Sequence, residues 1–251
     1  SNMNGVYLYG AALSTTGTGT ITIDGVAGNS NVSNLNVGVA LDNNANNTAA
    51  TGANTLTGTT ATTTGGYYNS GIWIHGNGST VTGAGAISLT GTGGGSTYAS
   101  LNQGVRLEGG RELQLAQASG TAGPNAGVEI SAGGFAQTNT GNLSITGLSG
   151  TAGATDVLLA GSGSVTSSSG NVTFTTNSYS GDNTEIVNAG TGTVTIQNRT
   201  AGTLINVGGA DVLTGSPLTL GVSNAELNRI TAATTKVGST TAGNLTVSAP
   251  I

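Results

Sequence analysis

Cysteine is absent from all 251 residues, which excludes disulfides, thiolate catalysis and cysteine-based zinc sites. Charge is nearly absent as well: five Lys and Arg face ten Asp and Glu, 6% of the chain, for a net charge of −5. With no basic run, the electrostatic footprint of a DNA- or RNA-binding protein is missing. No stretch reaches the roughly 18 uninterrupted apolar residues of a spanning helix, and no charged-then-apolar segment opens the chain. Large apolar side chains are scarce, Val, Ile, Leu and Phe making about a fifth of the sequence, close to the level at which strongly charged chains stay disordered. Here the charge that would hold such a chain open is missing, so an ordered arrangement of few apolar residues is expected.

What the chain has in abundance is repetition and glycine, 45 residues of it. GVYL (5–8), GVAL (38–41), GIWI (71–74) and GVRL (104–107) each begin 33 residues after the last. The series continues with looser spacing in GVEI (127–130), DVLL (156–159) and EIVN (185–188), making seven copies. Fifteen residues after the first apolar position come Ile21, Ile87, Leu143 and Val172, opening alternating β-branched runs that read as strands. A shorter slot between them holds Leu13, Val81, Leu113, Phe135, Val165 and Val194. The links are Gly, Ser, Thr and Asn, which turn the chain.

Three short strands per unit, with nothing long enough to cross over as a helix, predict an all-β parallel β-helix (solenoid) of roughly 8–10 coils. A sandwich or jelly roll is the competing architecture, but its strands have no reason to repeat a three-strand unit at strict spacing. Val6, Val39, Ile72, Val105 and Val128 are expected to stack as one inward column. The chain divides into a lead-in (1–4, where Ser1 and Asn2 ahead of Met3 read as a cloning remnant), a repeat domain (5–222) and an atypical C-terminal coil (223–251). In the last, Ser223 with Glu226 is a capping box, predicting one or two helical turns over Ala225–Ile230, after which Leu245 and Val247 resume the coil.

SNAELNRITAATTKVGSTTAGNLTVSAPI, with LTLGV before it and the GVxL, TGTGTITIDG and LTGTGGG phrases, resembles the repeats of large bacterial exoproteins of the filamentous-haemagglutinin type. The resemblance covers nearly the whole chain. It implies a right-handed β-helical shaft, exported by two-partner secretion to the cell surface or medium and used in adhesion. That family's N-terminal secretion domain, with its NPN-type motifs, is not among these residues, so the chain reads as an internal fragment. Cut edges would then stack end to end through strands around Val6 and Leu245, with Pro250 hindering one side.

Period-two alternation places Tyr7, Ala40, Trp73, Arg106, Glu129 and Leu158 outward in one column and Tyr9, Asp42, His75, Glu108 and Ser131 in a second. Both columns are expected to be solvent-exposed. The charged stretch GVRLEGGREL (104–113) thereby becomes a face of the rod, with Arg106 beside Glu129. Tyr7, Tyr9 and Trp73 could stack on sugar faces while Asp42, His75, Arg106, Glu108 and Glu129 bond hydroxyls, a candidate strip for a host or cell-surface glycan or protein. A glycosidase would set Asp42 and Glu108 two coils apart, roughly 9.6 Å at ~4.8 Å per coil, with His75 between. Nothing in the sequence buries either acid, which favours a non-enzyme. Outward Thr20, Thr22, Ser88, Thr90, Ser144, Thr146, Thr173 and Thr175 resemble the rows of ice-binding β-helices, although Thr is a good exposed-strand residue anyway. No metal or cofactor is expected: Asp24, Asp42, Asp156, Asp182 and Asp211 are scattered, and GTGGGS (91–96) lacks a phosphate-loop Lys.

Overall fold

The computed structural model describes residues 4–28, 35–60, 69–76, 79–94, 102–109, 112–114, 117–121, 126–138, 141–149 and 154–251, with backbone alone for 112–114 and 117–121. The chain is all-β. Up to Thr193–Asn198 its short strands fall in turn into three parallel sheets, most of them pairing with the strand three places further on, and a fourth, three-stranded sheet follows. Sheet A has seven strands, from Val6–Tyr9 and Val39–Asp42 to Tyr179–Gly181. Sheet B has eight, from Ala12–Thr15 to Ile230–Thr231, and sheet C eight, from Ile21–Val26 to Thr234–Val237. A path that visits A, B and C and starts again is consistent with a β-solenoid.

The sequence repeat is the hydrogen-bond register. Val6, Val39, Ile72, Val105, Val128 and Val157 pair in succession down sheet A, as expected, and Leu8, Leu41, Ile74, Leu107, Ile130 and Leu159 do so two residues on. From Val39 to Val157 the first column is fully buried, and each such side chain contributes about 1.5–3 kcal/mol by leaving water. Sheet C supplies the opposing floor with Leu56, Leu89, Ile145, Phe174 and Ile196, none of them accessible.

Two columns of small residues close the corner between sheet C and the next strand of sheet A. A Cβ on Gly25, Gly58 or Gly91 would sit about 2 Å from the carbonyl oxygen of Gly38, Gly71 or Gly104 respectively. Only a hydrogen fits there, which explains both the TG inside the sheet C strands and the G that opens GVxL. Beside this corner runs an asparagine ladder that the sequence reading did not single out. The Asn36 side-chain amide donates to Asn69 Oδ1 at 3.0 Å, and the Asn69 backbone N–H donates to Asn102 Oδ1 at 2.9 Å. All three are buried, and the bonds run from one copy to the next, one repeat away.

Four expectations need correcting. EIVN is not the seventh sheet A strand: Ile186–Asn188 pairs with Ser164–Ser167 in sheet B, and Tyr179 continues the Val157 column instead. Val194 correspondingly pairs with Val172 in sheet C, leaving Val187 as the inward residue of sheet B. Phe135 is only partly covered while Ala136 is buried. Alternation there is set from Gly134, where a Cβ would lie 2.4 Å from the Leu107 carbonyl, so the small residue two places on points in. Third, the capping box at Ser223 is complete and opens one helical turn as expected, but that turn is Asn224–Leu227, and Ile230 already belongs to sheet B. Fourth, Leu245–Val247 lies in a separate sheet, beside Leu204–Val207, whose other neighbour is Thr219–Val222. Leu113 was expected inward; its backbone pairs with Val81 and Ala136.

Val105→Asp would bury an unpaired charge in the inward column and is expected to destabilise by about 4 kcal/mol. Gly58→Ala forces overlap with a fixed carbonyl and should cost about 2–3 kcal/mol. Gly17→Ala, at φ 59° with nothing within 4 Å of the added methyl, should cost only about 1 kcal/mol. Urea unfolding midpoints of the three variants test this ranking.

Candidate functional site

Both outward columns of sheet A have the predicted register. Tyr7, Ala40, Trp73, Arg106, Glu129 and Leu158 follow one another strand by strand, as do Tyr9 and Asp42, then Glu108 and Ser131, with His75 continuing the strand Ile72–Ile74 between them. Neighbouring strands lie ~4.8 Å apart, so polar side chains stacked in this way reach each other. They form one continuous chain of contacts.

At its N-terminal end the Tyr7 hydroxyl donates to Asp42 Oδ2 at 2.8 Å, and the Tyr7 and Tyr9 rings lie 6.0 Å apart at a tilt of 50°. Asp42 Oδ1 is 3.5 Å from His75 Nδ1. The His75 ring stacks on the Trp73 indole, 3.6 Å between centroids and 14° between planes. The Trp73 Nε1–H donates to Glu108 Oε2 at 2.8 Å, and Arg106 pairs with Glu108 while its guanidinium lies 5.6 Å from the Trp73 ring centre. Arg106 Nε is 3.8 Å from Glu129 Oε1, and Glu129 also accepts from the Ser131 hydroxyl at 2.8 Å and from the Gln103 amide.

Exposure is where the expectation fails. Arg106 and Glu129 are buried, 7% exposed each, Trp73, Asp42, His75 and Glu108 are half-covered, and only Tyr7 (48%) and Tyr9 (60%) are open. Alternation sorts side chains by face, but on a parallel ladder an outward side chain still lies between its neighbours above and below. Arg106, between Trp73 and Glu129, is covered by the partners it engages. Gln103 was missed because an amide 26 residues from Glu129 carries no charge or spacing signal. Arg111 lies outside the described residues, and only the backbone of Glu112 is described.

Burial sets the electrostatics. Desolvation first, then the hydrogen bond to Asp42, pushes the Tyr7 hydroxyl up to about 12. For His75, burial lowers the imidazole below its ordinary 6.5 and outweighs the attraction of Asp42 and Glu108, so the ring is neutral at physiological pH. The two carboxylates of the glycosidase reading, Asp42 and Glu108, do flank His75, but each already holds its own partners: Tyr7 and His75 for one, Trp73 and Arg106 for the other.

Sheet C presents the expected hydroxyl columns: Thr22, Thr55 and Ser88 are in register, as are Ser144, Thr173 and Thr195. Thr20 precedes the strand. Among the described residues no three His, Cys, Asp or Glu side chains come together as metal ligands.

Arg106→Met leaves Glu108 and Glu129 without their cation and is expected to destabilise by about 3 kcal/mol, with most of that loss recovered in Arg106→Met/Glu129→Leu; chemical denaturation of the four members of the cycle checks it. Glu108→Gln keeps the fold, because an amide oxygen still accepts from Trp73, at a cost of about 1 kcal/mol. His75 binds its proton more weakly folded than unfolded, so its contribution is complete above 6.5 and is lost as pH falls through the lowered folded value. An NMR titration of the ring should show a midpoint below 6.5.

Compared with family models, curated proteins and solved structures, the chain matches none.

Proposed function

We propose that this chain is a segment of right-handed parallel β-helix forming the shaft of a secreted or surface-bound bacterial adhesin, which attaches to a host or cell-surface glycan without catalysis. The observation that supports the reading is the in-register stacking of three parallel sheets over the described residues from Val6 to Asn198. Such a rod holds every coil only to its neighbours and presents side chains at fixed spacing along its length. It suits a spacer that displays contact residues far from an anchoring surface.

Within that reading the attachment point is the Tyr7–Tyr9–Asp42 corner. Its two rings are the large exposed aromatics of the sheet A face, and tyrosine rings held by a rigid strand stack on sugar rings at little entropic cost. Trp73 is unsuited to the task, since His75 covers it and Arg106 stands over it. A non-catalytic role is supported by Asp42 and Glu108, whose oxygens are engaged by protein donors.

A glycan microarray probed with the wild-type chain and with Tyr9→Ala tests the proposal. The expected result is a defined glycan class bound by the wild type and lost at least about tenfold in the variant, the ~1.4 kcal/mol scale of one stacked ring. Binding unchanged by Tyr9→Ala, or no glycan bound at all, overturns the attachment site. Release of reducing ends from a polysaccharide overturns the non-catalytic reading, and thermal hysteresis would shift it to ice binding through the hydroxyl columns of sheet C.

A further inference from the structure

The last strand of sheet A, Tyr179–Gly181, has no further strand paired to it among the described residues, yet its open edge is not bare. The backbone N–H of Gly181 donates to Glu226 Oε1 at 3.3 Å, and the Asp211 carboxylate lies near the backbone N–H of Tyr179. The same two acids hold the C-terminal segment. Gly221 N–H donates to Asp211 Oδ1 at 2.7 Å, and Ser223 gives its N–H and its hydroxyl to Glu226 Oε2 at 2.8 and 2.9 Å. The Glu226 carboxylate thus does at this edge what a carbonyl of a next strand would do. A cavity of about 380 Å³ opens beside them, lined by Tyr179, Asp211 and Glu226 among others.

Charge at this junction has one sign. Glu185 is 1% exposed and neither of its carboxyl oxygens has a hydrogen-bond partner, and the Tyr179 hydroxyl, on a residue 2% exposed, has none either. Glu185 lies against Gly181, where an added Cβ would meet its Oε1 at 2.0 Å. The titratable groups facing the pair are therefore Glu185 and Tyr179 from the seventh repeat and Asp156 from the sixth. Asp156 has Arg199 Nε at 3.8 Å, whereas among the described residues no Lys, Arg or His is within ion-pair distance of Asp211, Glu226 or Glu185. A buried carboxylate with no cation, as at Glu185, is costly, Asp211 and Glu226 beside it are half-covered, and among the described residues no three acids come together to share a metal ion. A proton is the remaining counter-charge.

We propose that Asp211 and Glu226 form a proton-operated latch, in which proton uptake fastens the segment from Asp211 to Leu227 onto the edge of sheet A and proton release loosens it. A protonated carboxyl keeps an oxygen to accept the edge N–H, and its new O–H adds a donor to a junction where Glu185 has acceptors without donors. Burial pushes the Asp211 carboxyl up to about 7, overriding the hydrogen bonds from Gly221 and Tyr179, with Glu226 and Asp156 adding to the rise. Burial likewise raises Glu226, and Glu185 adds to it. A carboxyl with a raised folded value contributes stability that is complete below the unfolded value, 3.8 for Asp211, and is lost as pH rises through about 7. The latch is closed in mild acid and slackens in mild base.

Hydrogen exchange of the full chain at about pH 5.5 and about pH 8, corrected for intrinsic rates, reads the latch directly. Amides of Tyr179, Gly181, Gly221 and Ser223 should be protected about tenfold better at the lower pH, while those of Val105 and Leu107 show no such change. Asp211→Asn, which keeps the acceptor and removes the charge, should abolish most of the difference. Equal protection at both values, or a pH difference retained in Asp211→Asn, overturns the proposal. Should that variant fail to fold, an NMR titration of the wild-type Asp211 carboxyl carbon decides: a midpoint near 7 is expected, and one near the ordinary 3.8 overturns it.

Discussion

Everything in this molecule follows from the parallel hydrogen-bond ladder between successive repeats. Parallel pairing sets residue on residue, so the unit that evolution has to satisfy is the column rather than the strand. A column of Val and Ile makes a dry core. A column of Asn, as at Asn36, Asn69 and Asn102, makes a buried polar spine bonded from copy to copy. A column of Gly lets a carbonyl approach to where a Cβ would be. That is how a chain with so few large apolar residues orders itself: burial of one side chain is shared by the identical side chains above and below, and no helix or second layer is needed to cover it.

The same rule explains how much could be read in advance. GVxL at strict spacing gave both the register and the inward column, because 33 residues per repeat left no other way to superimpose four copies. Legibility fell where the repeat shortened. From Val157 to Tyr179 the step is shorter, and NSYSGD carries no GVxL phrase; EIVN looks like a first strand although it is a second. Phe135 misled for a related reason: size suggests the core, but the neighbouring corner glycine decides the face. Orientation of the sheet A columns was legible while coverage was not, because alternation says nothing about whether Arg106 will lie down on Trp73 and Glu129 or extend into water.

Scarcity of charge gives each charged group an identifiable task. In the middle of sheet A, Arg106 stands between two carboxylates and an indole, and the group closes on itself. Toward the C-terminal end the arrangement is the reverse: among the described residues Asp211, Glu226 and Glu185 are gathered without a cation, and Glu226 occupies the hydrogen-bonding edge that a further strand would use. An uncovered edge of a parallel sheet invites association. Placing acids on it blocks a neutral strand, at the cost of burying negative charge. Neither pattern is visible as a motif, since Asp211 and Glu226 are separated in sequence from the strand they cap.

These two charged regions respond to acid in opposite senses. His75 is held neutral by burial, so its repeat loses stability as pH falls below 6.5, whereas the Asp211 junction loses stability as pH rises toward 7. In a globular domain with one cooperative core the two would cancel into a flat profile. In a stacked array, coupling passes only between neighbouring repeats, and His75 in the third sheet A strand is four strands from the Tyr179 edge. The third sheet A strand and the Tyr179 edge can therefore soften at different pH values, and the ladder that joins them is what keeps the responses apart.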